Sequence, residues 1–468
     1  MTERNVDVAI IGTGSAGLFA LSKVRRGTDN FVIINGGELG TTCARVGCMP
    51  SKALIQVAED FERRQMFERH GIGGHDNLHM RIGHALEHVR NLRDIFVDKV
   101  LDGSTDNLGD EFIEGYARFV APDVLDVDGL IIRARKVIIA TGSRPFVPAA
   151  WAAFGERIIT TDTLFELEDL PESLAVVGLG VIGLELGQAL HRLGVAVTGI
   201  DKLKVIGGLH DPVVNQTAID ILGKEFPLWL GQAAEVREEG DKLRVICGEN
   251  SVLVDRILAS LGRVPNLENL GLEKLGAPLD ARGIPLYNPH TMQVGDLPVF
   301  IAGDVNGDRA ILHEAGDEGR IAGYNAVQDR PVAFQRKTPL AITFCDPNIA
   351  SVGAALTELD PEQTAIGEMR FGALGRALIM GKNKGVLRVY ADKDTGLLRG
   401  AALIGPRGEN LAHLLAWSIQ LGLTVFDVLR LPFYHPVIEE GLQAALYDLR
   451  GKITNSPAEP TELLRVDV

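Results

Sequence analysis

An apolar run near the start of the chain predicts a buried parallel strand. Residues 6–11 are apolar except for one aspartate, and they lead directly into a Gly-x-Gly-x-x-Gly turn. Strands that are covered on both faces show such near-continuous apolar runs. In the turn, Gly12 permits a tight bend, Gly14 lets the backbone approach a pyrophosphate, and Gly17 allows the next helix to pack closely on the strand. The pattern predicts a dinucleotide-binding βαβ unit.

The same pattern occurs a second time. Residues 174–177 form an apolar run that leads into a turn containing Gly178 and Gly180, and residues 196–200 predict the next strand. A single Gly-x-Gly-x-x-Gly turn, which we call a fingerprint, would be weak evidence of a dinucleotide site in a chain with 53 glycines. Two copies indicate two bound dinucleotides, of which one is held permanently and the other is exchanged.

The residue after the second strand of each unit indicates how a ribose is bound. Residues 31–34 are followed by Asn35, where the usual side chain is Asp or Glu. Asn35 can still hydrogen-bond a hydroxyl, but it carries no charge. In the second unit, Asp201 would accept from a ribose 2′-OH and repel a 2′-phosphate, which favours NAD over NADP. Lys202 and Lys204 are expected to be solvated, with contact to a phosphate as the alternative.

Two cysteines lie between the two units, shortly after the first. Cys43 and Cys48 are separated by four residues, whereas Cys247 and Cys345 lie far away and unmatched. Redox, metal-binding and incidental thiols are all compatible with this spacing alone. Positions five apart on a regular helix point about 140° apart, so a bridge between them requires a distorted turn. The adjacent dinucleotide unit favours a redox-active disulfide.

Composition agrees with an enzyme of several domains. The chain has 468 residues, of which 46% are hydrophobic, and this length suggests about three domains. A net charge of −15 argues against nucleic acid or an anionic membrane as a partner. No apolar run approaches the ~18–20 residues of a membrane span, and the first strand starts too early to leave room for a signal sequence. Four cysteines without a disulfide framework indicate a cytoplasmic location.

These motifs together resemble those of the class I pyridine nucleotide–disulfide oxidoreductases, and within that family the chain is most similar to the dihydrolipoamide dehydrogenases. The resemblance covers nearly the whole chain. Beyond the fingerprints and the dithiol, it rests on four further segments in the order expected for the family, which are residues 140–145, 261–265, 301–304 and 434–440.

The resemblance implies an α/β fold with two Rossmann-like dinucleotide-binding domains, for FAD and NAD, and a C-terminal α+β dimerisation domain. Residues 1–145 and 266–335 would form the FAD-binding domain, and residues 146–265 would form the NAD-binding domain inserted in it. The dimerisation domain would span residues 336–468, with a helix over 408–422. A homodimer is therefore expected.

The resemblance also implies chemical roles. Cys48 would lie nearer the flavin and exchange electrons with it, while Cys43 would react with the substrate sulfur. His435 is the candidate base, because an unperturbed pKa of about 6.5 lets it accept and return a proton near neutrality. Glu440 would hold its imidazole in the useful tautomer. In the homodimer, His435 and Glu440 of one subunit would complete the site built by the cysteines of the other.

Lys52 and Glu185 form a further pair implied by the resemblance, with the ammonium near the flavin and the carboxylate compensating its charge. The alternative is that Lys52 caps its helix and Glu185 faces solvent. Val181 stands where glutathione-type relatives have a bulky tyrosine. No metal site is expected. The residues implied to contact the two cofactors are Gly12, Gly14, Gly17, Asn35, Thr42, Lys52, Tyr116, Thr141, Gly142, Ser143, Asp304, Leu312, His313, Gly178, Gly180, Val181, Ile182, Glu185, Asp201, Val236 and Gly262.

Some positions depart from the family pattern around the substrate channel. Ala44 and Arg45 stand where Leu and Asn are usual. Phe433 replaces a histidine, and Val437 replaces a threonine. The departures bear on the substrate rather than on the reaction. We consider three roles for Arg45: stabilising the Cys43 thiolate, docking an acidic carrier protein, or no role beyond solvation.

The sequence thus predicts an FAD- and NAD-dependent dithiol–disulfide oxidoreductase. Its expected substrate is a dihydrolipoyl group on a lipoyl-bearing carrier protein, and electrons would pass through Cys43 and Cys48 to FAD and then to NAD+. A mercuric- or glutathione-reductase-like enzyme is the alternative. The mercuric type is disfavoured because residues 463–468 lack a cysteine pair, and the glutathione type is disfavoured by Val181 and Asp201. An alternative of another class is a subunit that mainly docks within a lipoyl-carrier assembly.

Overall fold

The computed structural model describes residues 3–457, 462, 463 and 466; the remaining residues of the tail lie outside the described part. The first apolar run forms the central strand of a sheet. The helices and strands up to residue 145 are β1 (Glu3–Ile11), α1 (Ser15–Val24), β2 (Phe31–Asn35), α2 (Thr42–Arg45), α3 (Cys48–Glu62), α4 (Ile82–Asp102), β3 (Phe112–Glu114), β4 (Ala117–Ala121), β5 (Val124–Val127), β6 (Leu130–Ile139) and β7 (Ser143–Pro145).

The first sheet has the strand order β3-β2-β1-β6-β5-β4. β1 pairs in parallel with β2 on one side and with β6 on the other, and the residues of β1 that pair with both are almost completely buried. β4 and β5 extend the sheet as an antiparallel pair. The carboxyl ends of β1 and β2 therefore lie side by side, where the first fingerprint begins.

The inserted segment forms a second parallel sheet. Its elements are β8 (Ile158–Ile159), α5 (Thr161–Leu164), β9 (Ser173–Val177), α6 (Val181–Arg192), β10 (Ala196–Asp201), α7 (Pro212–Leu222), β11 (Leu228–Leu230), β12 (Glu235–Glu239), β13 (Lys242–Cys247), β14 (Asn250–Val254), β15 (Arg256–Ala259) and β16 (Arg263–Pro265). The parallel sheet has the order β11-β10-β9-β15-β8, and β12, β13 and β14 form an antiparallel sheet beside it. β7 pairs with β16, so the chain enters and leaves the insert at one place.

After the insert, the chain returns to the first sheet through β17 (Val299–Ile301) and α8 (Leu312–Ala326). β17 pairs in parallel with β6. α8 packs against α1 through small residues: a Cβ on Gly319 would lie 2.3 Å from the carbonyl oxygen of Ala16, and one on Gly323 would lie 2.3 Å from that of Ala20. The backbones approach closely here because no side chain intervenes.

The C-terminal region is an antiparallel sheet covered by helices. Its elements are β18 (Leu340–Thr343), β19 (Asn348–Gly353), β20 (Thr364–Arg370), α9 (Gly375–Met380), β21 (Val386–Asp392), β22 (Leu398–Gly405), α10 (Gly408–Gln420), α11 (Val425–Leu429) and α12 (Glu440–Arg450). The strand order is β18-β19-β22-β21-β20. The helix expected over 408–422 is α10. Two sheets built around parallel strands, followed by one α+β region, agree with the predicted fold class.

Buried polar contacts fix the insert to the C-terminal region. The Asp211 carboxylate caps α7 and accepts from Arg388 Nη1 at 2.7 and 2.8 Å and from the Tyr390 hydroxyl at 2.7 Å. Burial opposes the charged form of Asp211, but these hydrogen bonds hold its pKa below the usual value. Arg192 of α6 adds an ion pair to Asp346 at 3.2 Å.

No helix among the described residues is long and apolar enough to cross a bilayer.

Candidate active site

The two cysteines lie on either side of a break between two helices. α2 ends at Arg45, and α3 begins at Cys48. Between them Gly47 has φ −118° and ψ −118°, which is not helical. A Cβ on Gly47 would lie 2.9 Å from the Thr42 carbonyl oxygen and 3.1 Å from Cys43 Cα, so the break draws the two cysteine-bearing turns together. The distortion that a bridge requires is therefore built into the backbone.

The two thiols are in hydrogen-bonding contact but differ in acidity. The hydrogen bond with Cys48, followed by burial, raises the pKa of Cys43. The hydrogen bond from Cys43 is the largest cause that lowers the pKa of Cys48 to about 7, and the charge of Lys52 lowers it further against the effect of burial. The Cys43 thiol thus donates to a Cys48 thiolate. Cys48 carries much of its charge near neutral pH, as an electron-donating thiolate must.

Lys52 and Glu185 form an ion pair at the junction of the three regions. Lys52 Nζ lies 2.7 Å from Glu185 Oε2, and the Glu185 carboxylate is almost completely buried. The other oxygen, Oε1, accepts from the Phe344 amide at 2.8 Å. Lys52 Nζ also lies 4.7 Å from the centroid of the Phe344 ring. The carboxylate is therefore held at both oxygens, and its alternative placement facing solvent is wrong.

His435 and Glu440 lie together at the start of α12. His435 Nδ1 lies 2.8 Å from Glu440 Oε1, and Glu440 Oε2 accepts from the Val437 amide at 3.1 Å. The hydrogen bond from His435 is the main cause that lowers the pKa of Glu440. An ionised carboxylate only accepts, so Nδ1 carries the proton and Nε2 is left as the base. The His435 side chain is 80% exposed in the single chain, and Phe433 packs on the core of the C-terminal region.

A cavity of about 660 Å³ lies at the carboxyl ends of β1 and β2. Seven residues that the sequence singles out for cofactor contact line it: Gly12, Gly14, Asn35, Thr42, Tyr116, Thr141 and Gly142. The further lining residues are Ile11, Thr13, Ile34, Gly36, Gly37, Glu38, Thr41, Arg45, Gly115, Ala117, Ala140, Asn266, Glu268, Asn269 and Leu270.

The first fingerprint shapes one wall of this cavity. Gly12 has φ +109°, and a Cβ there would lie 2.3 Å from the Ala140 carbonyl oxygen. A Cβ on Gly17 would lie 1.9 Å from the Gly12 carbonyl oxygen, which explains the close packing of α1 on the strand. Open space surrounds the Cβ position of Gly14, the residue that caps α1. The free amides at the start of α1 thus face the cavity.

Asn35 and Tyr116 lie at another wall of the cavity. Asn35 Nδ2 donates to the Gly37 carbonyl oxygen at 2.6 Å, and Asn35 Oδ1 accepts from the Thr13 amide at 3.4 Å. The Tyr116 ring packs on Gly36, where a Cβ would lie 2.6 Å from the ring. Asn35 therefore holds the shape of the loop while its side chain borders the cavity.

Ser143 and Asp304 are joined near the strands that link the regions. Ser143 Oγ donates to Asp304 Oδ2 at 2.7 Å and accepts from Arg263 Nε at 2.7 Å. Thr141 Oγ1 donates to the Asn266 carbonyl oxygen at 2.7 Å. The side chains expected to contact the cofactor are thus tied to residues of β16 and the segment after it.

Leu312 and His313 form the first turn of α8, and both are exposed. The turn before this helix is fixed from inside: Glu318 Oε2 accepts from the Gly303 amide at 2.8 Å and from Asn306 Nδ2 at 2.7 Å. Asp304 lies within that turn.

The second fingerprint repeats the geometry of the first. A Cβ on Gly178 would lie 2.2 Å from the Ser260 carbonyl oxygen, and Gly180 caps α6 beside open space. Asp201, at the end of β10, accepts from the Leu179 amide at 2.7 Å through Oδ2. Its Oδ1 accepts from an amide two residues further on at 2.8 Å. The carboxylate lies directly beside the fingerprint turn, where a ribose hydroxyl is expected.

The other residues expected at the second site are dispersed around this sheet. Val181 begins α6 and is 37% exposed, whereas Ile182 packs on the core of the insert. Val236 lies on β12, partly buried against a separate apolar cluster. Gly262 has φ +101° and accepts from the Phe146 amide at 3.0 Å.

Comparisons with known proteins agree with this geometry. Residues 6–321 match the family described as pyridine nucleotide-disulphide oxidoreductase, and residues 340–446 match the dimerisation domain of that family. The dihydrolipoyl dehydrogenase of Thermus scotoductus is 31% identical, with 94% of this chain and 97% of that protein covered. The dihydrolipoyl dehydrogenase of Geobacillus stearothermophilus is 29% identical, with 93% and 94% covered.

The chain belongs to the pyridine nucleotide-disulphide oxidoreductase family.

Solved structures share the fold. LpdA from Mycobacterium tuberculosis superposes with a TM-score of 0.83 at 22% identity, covering 96% of this chain and 99% of that chain. The Cu(II) complex of the HOCl-induced flavoprotein disulfide reductase RclA from Escherichia coli gives a TM-score of 0.82 at 22% identity, covering 95% and 99%. The family and the fold class predicted from the sequence are confirmed. The chain is an FAD- and NAD-dependent disulfide oxidoreductase.

The family's FAD fits the cavity at β1. Gly12 and Gly14 keep side chains out of the space next to the start of α1, and Thr42 and Thr141 border it with polar groups. The free amides there suit a diphosphate. Lys52 would lie at the flavin end, because it comes one helical turn after Cys48. Among the described residues, no group of His, Cys, Asp or Glu could hold a metal ion.

Several polar residues that line the cavity were not singled out from the sequence, among them two carboxylates and two amides. Glu38, Asn266, Glu268 and Asn269 line the cavity, and none belongs to a fingerprint. Three of them follow the Gly262 motif within seven residues, so the position of that motif was the signal that could have found them. No pattern in the sequence marks Glu38.

Proposed function

We propose that the enzyme oxidises a protein-bound dihydrolipoyl group with NAD+, and that it works as a homodimer. The difference in acidity between Cys43 and Cys48, together with the His435–Glu440 pair, carries the proposal. This arrangement suits a thiol substrate that forms a mixed disulfide with Cys43 and leaves Cys48 as a thiolate. Relatives named dihydrolipoyl dehydrogenase over nearly their whole length support the lipoyl group as the substrate.

The dithiol chemistry starts from the Cys43–Cys48 disulfide. A lipoyl thiolate attacks Cys43 Sγ, and the sulfur–sulfur bond breaks to leave the Cys48 thiolate. The second lipoyl thiol then attacks the lipoyl sulfur of the mixed disulfide, which closes the lipoyl ring and releases Cys43 as a thiolate. Two electrons have then entered the dithiol. The low pKa of Cys48 makes it the better leaving group in the first step.

His435 would manage the protons of these steps. Its Nε2 accepts the proton of the first lipoyl thiol and releases it to solvent, then accepts the proton of the second lipoyl thiol and passes it to the departing Cys43 thiolate. Glu440 fixes the tautomer and stabilises the imidazolium. The exposed His435 ring and the match of residues 340–446 to a dimerisation domain support completion of the site by a second subunit. The cavity beside Gly12, Gly14 and Thr42 would hold FAD, which would supply the redox chemistry that links the Cys48 thiolate to hydride transfer to NAD+.

Steady-state kinetics tests the proposal. The purified enzyme should reduce NAD+ with dihydrolipoamide. The kcat/KM of this reaction should exceed that for the reduction of glutathione disulfide or Hg²⁺ by NADH or NADPH. Higher efficiency with glutathione disulfide or Hg²⁺ would assign a different substrate to the same dithiol. A protein that binds a lipoyl carrier but does not turn over dihydrolipoamide would instead support the docking subunit.

A further inference from the structure

Arg45 borders the FAD cavity with a charge that the family usually lacks at this position. It ends α2, two residues after Cys43, and its guanidinium forms an ion pair with Glu38. Both side chains line the cavity. The Arg45 side chain is 27% exposed, whereas that of Glu38 is 77% exposed. Arg45 Nε is buried and has no hydrogen-bond partner.

The cations that act on the dithiol lie elsewhere. Lys52 is the cation whose charge lowers the pKa of both Cys43 and Cys48. Arg45 instead contacts Glu38, and the charge of Asp162 also acts on it. The expectation that Arg45 stabilises the Cys43 thiolate therefore finds no support in its placement, which is toward the cavity.

The charges of the cavity wall make this placement informative. Among the described residues that line the cavity, Arg45 is the sole Lys or Arg, while Glu38 and Glu268 are acidic. Glu268 is neutralised from outside by Arg144, whose two hydrogen bonds at 2.5 and 2.9 Å lower the pKa of Glu268 to about 2. A dinucleotide diphosphate brings further negative charge into the same cavity. Glu38 would repel it unless Arg45 compensates.

Arg45 is also poorly satisfied where it lies. Burial lowers its pKa, the charge of Asp162 opposes this effect, and the charge of Arg93 adds to it. A diphosphate offers several strong acceptors in the planar arrangement that a guanidinium prefers. A diphosphate would give Arg45 Nε a hydrogen-bond partner. The contact with the exposed Glu38 carboxylate does not provide one.

We propose that Arg45 binds the diphosphate of FAD and that its ion pair with Glu38 is exchanged for this contact when the cofactor binds. Arg45 is then a cofactor-binding residue at a position where the family usually has Asn, and Glu38 competes with the cofactor for the guanidinium. The amides at the start of α1 supply the other part of the diphosphate contact.

The proposal predicts opposite effects for the two members of the pair. Arg45→Asn should weaken FAD binding by about tenfold or more, because a charge-assisted hydrogen bond to an anion is lost. Glu38→Gln should leave FAD binding unchanged or tighter, because it frees Arg45. If the pair merely stabilised the fold, both substitutions would weaken FAD binding alike.

The measurement is FAD affinity, followed by the change in flavin fluorescence on dilution of the holoenzyme and on titration of the flavin-free protein. Log Kd for Arg45→Asn should also depend less steeply on log salt. Arg45→Lys should be intermediate. Riboflavin, which has no diphosphate, should bind equally well to the native protein and to Arg45→Asn. Arg237→Gln, an exposed arginine of β12 in the insert, is the matched control.

Unchanged FAD affinity in Arg45→Asn overturns the proposal, as does an equal loss of riboflavin affinity. If Arg45→Asn does not fold, Glu38→Gln decides alone: weaker FAD binding in that variant contradicts the exchange, and unchanged or tighter binding supports it.

Discussion

Lys52 Nζ lies 2.7 Å from Glu185 Oε2, and this contact joins the helix that carries Cys48 to the first helix after the second fingerprint. The Phe344 amide holds the other carboxylate oxygen from the C-terminal region. Three regions of the chain thus meet at one ion pair. Because Cys48 responds to both charges, the assembly of the regions adjusts an acidity that the hydrogen bond from Cys43 mainly determines.

Glu185→Gln should lower the pKa of Cys48 below its native value of about 7. The hydrogen bond from Cys43, the largest cause, is unchanged, while the carboxylate that opposes the thiolate is removed and Lys52 acts unopposed. A pH titration of the reduced enzyme, followed by thiolate–flavin charge-transfer absorbance, measures this pKa. Glu62→Gln is the control, because Glu62 lies at the far end of α3, the helix that begins at Cys48, and it should leave the midpoint of the titration unchanged. A midpoint that rises or stays fixed in Glu185→Gln contradicts the electrostatic account.

Cys48→Ser should abolish dihydrolipoamide turnover and charge-transfer absorbance while FAD stays bound, because the cavity contacts lie elsewhere. Activity and the visible flavin spectrum report the two properties separately. Cys247→Ser, which alters a buried thiol in the insert, should keep both. Substantial turnover by Cys48→Ser would show that electrons do not pass through this thiol.

Glu440→Gln should reduce kcat by about 10–100-fold, since a partner that fixes a functional imidazole is lost. An amide cannot stabilise the imidazolium as the carboxylate does, so proton transfer through His435 should slow. The KM for NAD+ should not change. The neighbouring substitution Glu439→Gln is the control. A kcat as high as that of the native enzyme would remove His435 from the proton-transfer role.

NADH should give a higher kcat/KM than NADPH in the lipoamide-reducing direction, because the Asp201 carboxylate beside the fingerprint repels a 2′-phosphate. Asp201→Asn should narrow the difference. Asp241→Asn, in the turn before β13, tests whether a general change of charge has the same effect. Equal or better use of NADPH by the native enzyme would instead make Lys202 and Lys204 the phosphate contacts to test.

Asp211→Asn should destabilise the enzyme by about 2–4 kcal/mol, because Arg388 and Tyr390 lose the carboxylate they share. The depressed pKa of Asp211 contributes stability above its unfolded value, about 3.9, and this contribution is lost as pH falls through the folded pKa. The stabilities of Asp211→Asn and the native enzyme, measured by thermal unfolding from pH 6 downward, should therefore begin to converge as the pH falls below about 4. Asp220→Asn, on the surface of α7, should unfold like the native enzyme. A constant difference between Asp211→Asn and the native enzyme at every pH would show that the carboxylate does not titrate as described.

The sequence predicted the fold because its signals are local. An apolar run and a glycine turn lie within a few residues, and so do Cys43 and Cys48. The contact of Phe344 with Glu185 joins positions 159 residues apart, and that of Arg388 with Asp211 joins positions 177 apart. Such contacts depend on how the three regions pack, and no spacing in the sequence encodes them.

The direction of a single side chain was also beyond the sequence. Arg45 lies between the two cysteines in the chain, which suggested an effect on their sulfurs. The break at Gly47 ends α2, and the Arg45 guanidinium meets Glu38 at the cavity. Neighbours in sequence thus have different electrostatic surroundings, because the backbone turns between them.

The contacts of Asp211 and Arg192 have a consequence for how nicotinamide reaches the flavin. Because buried charges fix the insert to the C-terminal region, we expect the insert to keep its position relative to that region when a nucleotide binds. The nicotinamide would then reach the flavin because the nucleotide enters a site that is already in place, and not because the insert moves toward the flavin.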